Sequence, residues 1–133
     1  MPVSATAPYG ALLLRLTLGV LFLIHAGLKV FVFTPAGTAG FFSSIGLPGW
    51  FAYVTILWEI LGGLALIGGI YTRAVALLMV PVLLGTIVFV HGAAGFFFSN
   101  PNGGWEYPAV WIIALIVQSM IGGGAHSLKA DRA

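Results

Sequence analysis

Residues 49–70, G-W-F-A-Y-V-T-I-L-W-E-I-L-G-G-L-A-L-I-G-G-I, decide the fold of this chain. The stretch is apolar almost throughout, and Glu59 is its one acidic or basic residue. About 20 apolar residues of α-helix cross the hydrocarbon core of a bilayer. The stretch is therefore predicted to be a transmembrane helix, and Glu59 is the residue whose presence needs a physical reason.

The composition of the whole chain supports the same conclusion. Of its 133 residues, 60% are hydrophobic and 6% are charged, and the mean hydropathy is +1.11. Because soluble domains carry roughly 25% charged residues, this composition predicts an integral membrane protein, and the length predicts one domain. The net charge of +2, without a basic cluster, excludes nucleic acid as a partner. The absence of cysteine excludes disulfides and thiolate-ligated cofactors within this chain.

Apolar runs separated by glycine- and proline-rich turns predict four membrane-spanning helices, at about 10–33, 49–70, 73–95 and 106–123. Pro81 is expected to kink the third helix or loosen its hydrogen bonding. The connection 34–49 is interpreted either as a short amphipathic turn at the membrane interface or as a plain loop. The predicted fold is an all-α, integral membrane four-helix bundle that forms one domain over residues 1–133.

The basic residues predict the orientation of this bundle. With four spans, Arg15, Arg73, Lys129 and Arg132 fall on one side of the membrane and Lys29 falls on the other. The positive-inside rule then places both termini in the cytoplasm. Arg15 and Lys29 lie within the first apolar run, and each is expected to extend its long side chain to its own interface.

The same topology gathers ionisable residues in one half of the bundle. His25, Lys29, Glu59, His91 and Glu106 all fall in the half that faces outward. Glu59 is too short to reach an interface, and a carboxylate that faces lipid at that depth costs several kcal/mol. Its side chain is therefore expected to point into the bundle, toward Lys29, His25 and His91.

These residues admit two interpretations. Glu59 is either structural, paired with Lys29 or a histidine, or it belongs to a ligand or proton site. His25 and His91 are interpreted as hydrogen-bonding members of a polar cluster. No local histidine spacing typical of a metal site is present, so no metal centre is predicted.

The fourth predicted helix adds two features. Glu106 lies at its start, where a carboxylate is stabilised by the helix dipole. Tyr107, Trp111, Ala114 and Gln118 form one stripe along it, a pattern typical of packing with a hydrogen bond.

Several segments, taken together and in order, resemble the DoxX family. They are R-L-T-L-G-V-L-F-L-I-H-A-G-L-K-V-F (15–31), G-L-P-G-W-F-A (46–52), E-I-L-G-G-L-A-L-I-G-G-I-Y-T-R (59–73), H-G-A-A-G-F-F-F (91–98), G-G-W-E-Y-P (103–108) and G-G-G-A-H-S-L (122–128). The resemblance implies a small multi-pass protein of the bacterial plasma (inner) membrane. Some members are subunits of thiosulfate:quinone oxidoreductase, and others are linked to membrane-associated responses to oxidative stress. One departure is Lys129 after Leu128, where many members carry aspartate.

The leading hypothesis is a membrane subunit of a quinone-linked oxidoreductase system, with quinone bound non-covalently and a partner subunit that supplies electrons. The candidates for ligand binding or proton relay are Glu59, His25, His91, Lys29, Glu106 and Tyr107, with Trp58 or Trp105 against the ring. The alternative is a non-catalytic membrane partner, or a small-ligand-binding protein, that stabilises another membrane protein. An ion pathway is a third hypothesis, disfavoured because Arg15 and Arg73 are nearly the sole ionisable groups of the inner half. Catalysis by the chain itself and self-association stay open.

Overall fold

The computed structural model describes residues 2–130, and the elements of this part of the chain are helical. The helices are α1 (Val3–Gly27), which continues into a π-helical turn (Leu28–Val32), α2 (Pro35–Ser44), α3 (Trp50–Gly68), α4 (Thr72–Thr86), which continues into a π-helical turn (Ile87–His91) and a 3-10 turn (Gly92–Ala94), and α5 (Glu106–Ile121). The predicted all-α class is confirmed for the described residues.

Two helices differ from the sequence-based expectation. α1 begins at Val3 and not near residue 10, so it includes Pro8. The connection 34–49 contains a true helix, α2, because Pro35 occupies its first position and the Thr34 hydroxyl accepts a hydrogen bond from the Gly37 N–H at 3.0 Å. Of the two interpretations of this connection, the plain loop is wrong.

Three helices of the described chain are long and apolar enough to cross a bilayer: Val3–Val32, Trp50–Gly68 and Thr72–Ala94. α5 has 16 residues, which rise about 24 Å, less than the roughly 30 Å hydrocarbon core. It ends where Gly122 adopts a positive φ of 78°. The membrane character is confirmed, whereas the fourth span stays a prediction.

The bundle is held by packing of α1 on α3 and of α4 on α5, with further contacts between α3 and α4 and between α1 and α5. Its buried centre includes Phe22, Leu66 and Leu115. α1 and α3 cross closely: a Cβ atom on Gly63 would lie 2.9 Å from the Gly19 carbonyl oxygen. This confirms that small residues on the Glu59 helix admit a neighbouring helix.

Successive long helices run in opposite directions, so the bundle has two distinct ends. At one, the C-terminal parts of α1 and α4 meet the N-terminal parts of α3 and α5, beneath α2; we call this the cavity end. At the opposite end, the 69–71 turn meets the segment 122–130, where Ile70 pairs with Lys129 in an isolated parallel bridge. Lys29 lies at the cavity end, whereas Arg15, Arg73 and Lys129 belong to the opposite end. The fourth basic residue of the orientation argument, Arg132, lies outside the described residues.

Arg15 does not extend to the membrane interface as expected. Its side chain is 1% exposed, and its guanidinium donates to the carbonyl oxygens of Gly123 at 2.8 Å and Ala125 at 2.7 Å. It also donates to the carbonyls of Leu66 and Ile67 at the end of α3. Burial is tolerated because these four acceptors replace water around the guanidinium.

The segment after α5 is bound to the rest of the bundle through backbone groups. The Ala125 N–H donates to the Pro8 carbonyl at 3.0 Å, and the Leu128 N–H donates to the Gly68 carbonyl at 3.0 Å. The Gln118 side chain also donates to the Ala11 carbonyl, at 3.1 Å. Together with the bonds of Arg15, these hydrogen bonds join α1, α3, α5 and the segment 122–130 at the end of the bundle opposite the cavity.

Candidate functional site

A cavity of about 860 Å³ lies at the cavity end, between the helices and beneath α2. Its walls are mainly aliphatic and aromatic, and α2 contributes Phe41 and Phe42. The ionisable side chains that line it come from four helices: His25, Lys29, Glu59, His91 and Tyr107. A mainly apolar cavity of this size with a few convergent polar groups is the usual form of a small-molecule site.

Glu59 is the most deeply buried ionisable member of the lining. It is 2% exposed, and its Oε1 lies 2.7 Å from Nζ of Lys29. The expectation that this carboxylate turns inward, with Lys29 as a partner, is confirmed. Neither histidine forms an ion pair with it in the described part of the chain. Glu59 and Lys29 are therefore a charge-balanced pair in an apolar wall, with Lys29 held in the π-helical turn that follows α1.

His25 enters the site through ring contacts. Its ring centre lies 4.9 Å from that of Trp111 and 6.5 Å from that of Tyr107, with which it is stacked. No hydrogen bond to the imidazole is found within residues 2–130, so the role of His25 as a hydrogen-bonding residue stays a prediction. A stacked imidazole with free nitrogens is available to a ligand.

His91 and Tyr107 form a second polar pair. The His91 Nδ1 lies 2.7 Å from the Gly103 carbonyl oxygen, and its Nε2 lies 3.4 Å from the Tyr107 hydroxyl. A carbonyl oxygen accepts but cannot donate, so Nδ1 carries a proton. In the neutral ring, Nε2 is then the acceptor of the tyrosine O–H. The pair connects the cavity to the 95–105 loop.

Two predicted site residues lie elsewhere. Glu106 is absent from the lining, and its Oε2 accepts the Phe98 N–H at 3.1 Å. Trp105 packs on Phe96, with ring centres 4.7 Å apart, and does not line the cavity. Trp105 is the residue before α5 and Glu106 is its first residue, and both side chains contact the loop that precedes the helix. Glu106 lies at the start of α5, as its interpretation as a helix N-terminal carboxylate predicts, and it does not line the cavity with Glu59, whereas Trp58 does.

Sequence reasoning missed two parts of the site. The first is α2, which covers the cavity. The sequence left two interpretations of the connection 34–49, although Thr34-Pro35 is a signal for the start of a helix. The two π-helical turns, which carry Lys29 and His91, had no sequence signal. Such turns occur often at functional sites in helical proteins.

Within residues 2–130, no group of three or more histidine and acidic side chains is arranged to hold a metal ion. The chemistry that these walls can perform is binding of a neutral apolar molecule, hydrogen bonding to its polar atoms and transfer of protons through Glu59, His91 or Tyr107. Fold and site together define a small helical membrane protein with a mainly apolar cavity at one end of its bundle.

The family model for DoxX matches residues 10–92, and the chain belongs to the DoxX family. The chain is also similar to the protein named "Putative oxidoreductase CatD" from Bacillus subtilis (strain 168), with 42% identity over 87 residues. That alignment covers 65% of this chain and 63% of the relative, so it leaves more than a third of the relative's length unmatched. No solved structure matches the chain significantly.

Proposed function

We propose that this protein is the membrane subunit of a quinone-linked oxidoreductase system and that the cavity beneath α2 binds the quinone. The observation that carries the proposal is the cavity itself, in which a buried ion pair and a tyrosine–histidine pair face mainly apolar walls. The name of the Bacillus subtilis relative, an oxidoreductase, supports the same class of reaction.

The residues present fit a quinone. A quinone ring is flat and apolar and bears two carbonyl oxygens, so it needs aromatic walls and a few donors. Trp58 and Phe41 supply aromatic surface, and the Lys29 ammonium retains donors beyond the one directed at Glu59. About 860 Å³ lies within the roughly 300–1,000 Å³ of small-molecule sites. A bound quinone supplies the electron-accepting chemistry, and this chain supplies its surroundings.

Proton transfer is the chemistry that this chain's own residues perform. A proton that reaches the Tyr107 oxygen can pass to Nε2 of His91, because that nitrogen is an acceptor in the neutral ring. The opposite nitrogen already donates to Gly103 in the loop. Lys29 keeps the Glu59 carboxylate charge-balanced and thereby holds a proton acceptor in an apolar wall.

Electrons must come from outside this chain. The sequence contains no cysteine, and residues 2–130 hold no cluster of metal-ligating side chains. A partner subunit is therefore part of the proposal.

The same observation favours a second function, a non-catalytic membrane partner or small-ligand carrier. Isolation of a stoichiometric membrane partner, with no quinone in either protein, would favour that alternative.

Binding of decylubiquinone to purified protein in detergent micelles tests the proposal. Glu59→Gln keeps the shape of the side chain and removes the charge that Lys29 neutralises. Hydrogen bonds to charged groups contribute about 1.5–3 kcal/mol, so the variant is expected to bind roughly 10- to 100-fold more weakly. The matched control is Glu106→Gln, which makes the same change outside the cavity and should keep wild-type affinity. No quinone in the purified lipid extract, with equal titration curves for all three proteins, would contradict the proposal.

We further propose four spans, both termini in the cytoplasm and residence in the bacterial inner membrane. Arg15, Arg73 and Lys129 share one end of the bundle, which favours that end as cytoplasmic. A span by the short α5 requires local thinning of the bilayer or protein cover at one end, both of which are common responses to mismatch.

Single cysteines test this orientation without background, because the chain has none of its own. Ser4→Cys and Ser99→Cys place thiols on exposed residues of opposite ends. In intact spheroplasts, a membrane-impermeant maleimide is expected to label the variant at residue 99 at once and the variant at residue 4 after lysis alone. Labelling of both positions, or of residue 4 alone, in intact cells would disprove the proposed orientation.

A further inference from the structure

Trp111 is a buried member of the cavity wall, and it belongs to the α5 stripe that the sequence assigned to packing with a hydrogen bond. It lies one turn after Tyr107 on α5 and is 6% exposed. Its ring centre lies 4.7 Å from that of Phe22 in the core and 4.9 Å from that of His25 in the wall. The indole thus stands between the core of the bundle and the cavity.

The indole Nε1–H of Trp111 has no hydrogen-bond partner among the described residues. An indole nitrogen is a donor only, and an unpaired buried donor costs about 1–3 kcal/mol. Buried polar groups in folded proteins are nearly always paired, so one that is not paired points to a missing partner.

Trp58 shows that the unpaired donor is specific to Trp111. It lines the same cavity, but its Nε1 donates to the Leu78 carbonyl of α4 at 2.9 Å. Of these two indole donors in the wall, that of Trp58 is used within the protein, whereas that of Trp111 is buried and unpaired among the described residues.

We propose that Trp111 is a binding residue that donates its Nε1–H to an acceptor oxygen of the molecule in the cavity. The inference rests on the proposed function and makes it more specific. Because the donor is neutral and its surroundings are the rings of Phe22 and His25, a neutral carbonyl oxygen suits it better than a carboxylate or a phosphate. The ligand class is therefore a neutral carbonyl compound that places one oxygen within hydrogen-bonding distance of the Trp111 Nε1.

The experiment follows the indole protons of ¹⁵N-tryptophan-labelled protein in detergent micelles during titration with decylubiquinone. The Trp111 signal, identified by its loss in Trp111→Phe, is expected to move downfield as its proton enters a hydrogen bond. Decylbenzene, which has a similar apolar shape and no acceptor oxygen, should cause no downfield shift. A Trp111 signal that behaves alike with both compounds would overturn the inference.

Affinity supplies a second measurement. Trp111→Phe keeps an aromatic ring against Phe22 and removes the donor, so decylubiquinone is expected to bind about tenfold more weakly, the effect of one lost hydrogen bond. Trp105→Phe, the same substitution at an indole that packs on Phe96 and does not line the cavity, is the matched control and should change affinity by less than about twofold. Wild-type protein that binds decylubiquinone with no contribution from Trp111 would refute this inference alone. Wild-type protein that does not bind decylubiquinone would refute the proposed function as well.

Discussion

Arg15→Ala is expected to lower the stability of the folded protein by about 3–5 kcal/mol, the upper range for single substitutions. The guanidinium serves four carbonyl oxygens from two remote parts of the chain, those of Leu66, Ile67, Gly123 and Ala125. Alanine leaves these four carbonyl oxygens without a donor, at the end of the bundle opposite the cavity. Each buried group left unsatisfied costs about 1–3 kcal/mol.

Thermal aggregation in detergent, followed by size-exclusion chromatography, measures this loss. The apparent melting temperature of Arg15→Ala should fall by roughly 10 °C or more, given about 1 kcal/mol per several degrees for a chain of this size. Arg15→Lys should be intermediate, because an ammonium cannot reproduce the fork of guanidinium donors. Lys129→Ala, which removes a cation from an exposed side chain at the same end, should melt as the wild type does. Equal melting of Arg15→Ala and Lys129→Ala would show that the buried guanidinium contributes no stability.

Lys29→Met is expected to cost about 3 kcal/mol, because it strands the Glu59 carboxylate in an apolar wall. Breaking a buried ion pair by removal of one partner typically costs about 3–5 kcal/mol. Which partner remains matters here: the Lys29 side chain is 20% exposed and Glu59 is 2% exposed. An unpaired lysine can turn toward water along its flexible stem, whereas an unpaired carboxylate at Glu59 cannot. Glu59→Gln should therefore be tolerated better than Lys29→Met.

A double-mutant cycle in the same thermal assay separates pairing from side-chain size. Lys29→Met combined with Glu59→Gln should recover more than half of the stability lost in Lys29→Met, because no isolated charge remains. Lys129→Met, the same substitution on an exposed side chain, should have little effect. If the two single substitutions simply add, the 2.7 Å contact between Lys29 and Glu59 contributes no coupling energy.

Apolar runs and the glycine and proline residues that bound them predicted the helices well, because these signals lie within each helix and its ends. The run 49–70 is bounded by Pro48-Gly49 and Gly68-Gly69, and the helix occupies Trp50–Gly68. The inward orientation of Glu59 also followed from its own helix, because a short acidic side chain has no other inexpensive position. Its pairing with Lys29 and not with His25, one turn earlier, was beyond the sequence. His25 and Lys29 share one face of the first helix, so the pattern does not choose between them. The π-helical turn after Gly27, which carries Lys29, has no sequence signature.

The remaining errors involve contacts between distant parts of the chain. Arg15 was assigned to the interface because its long side chain can reach it, but its acceptors at Gly123 and Ala125 lie more than a hundred residues away. Glu106 was grouped with Glu59 by depth alone, and depth does not say which way a side chain turns at the start of a helix. Pairing between distant segments depends on how the helices rotate about their axes, and hydropathy does not report that rotation.

The bond between Arg15 and residues 123–125 also has a consequence for biosynthesis. A ribosome completes the first helix long before it translates the segment that supplies two of the four carbonyls for this arginine. During that interval, the guanidinium must be solvated by lipid headgroups, water or the insertion machinery. Synthesis of residues 123–125 is therefore the event that completes the set of acceptors for this arginine.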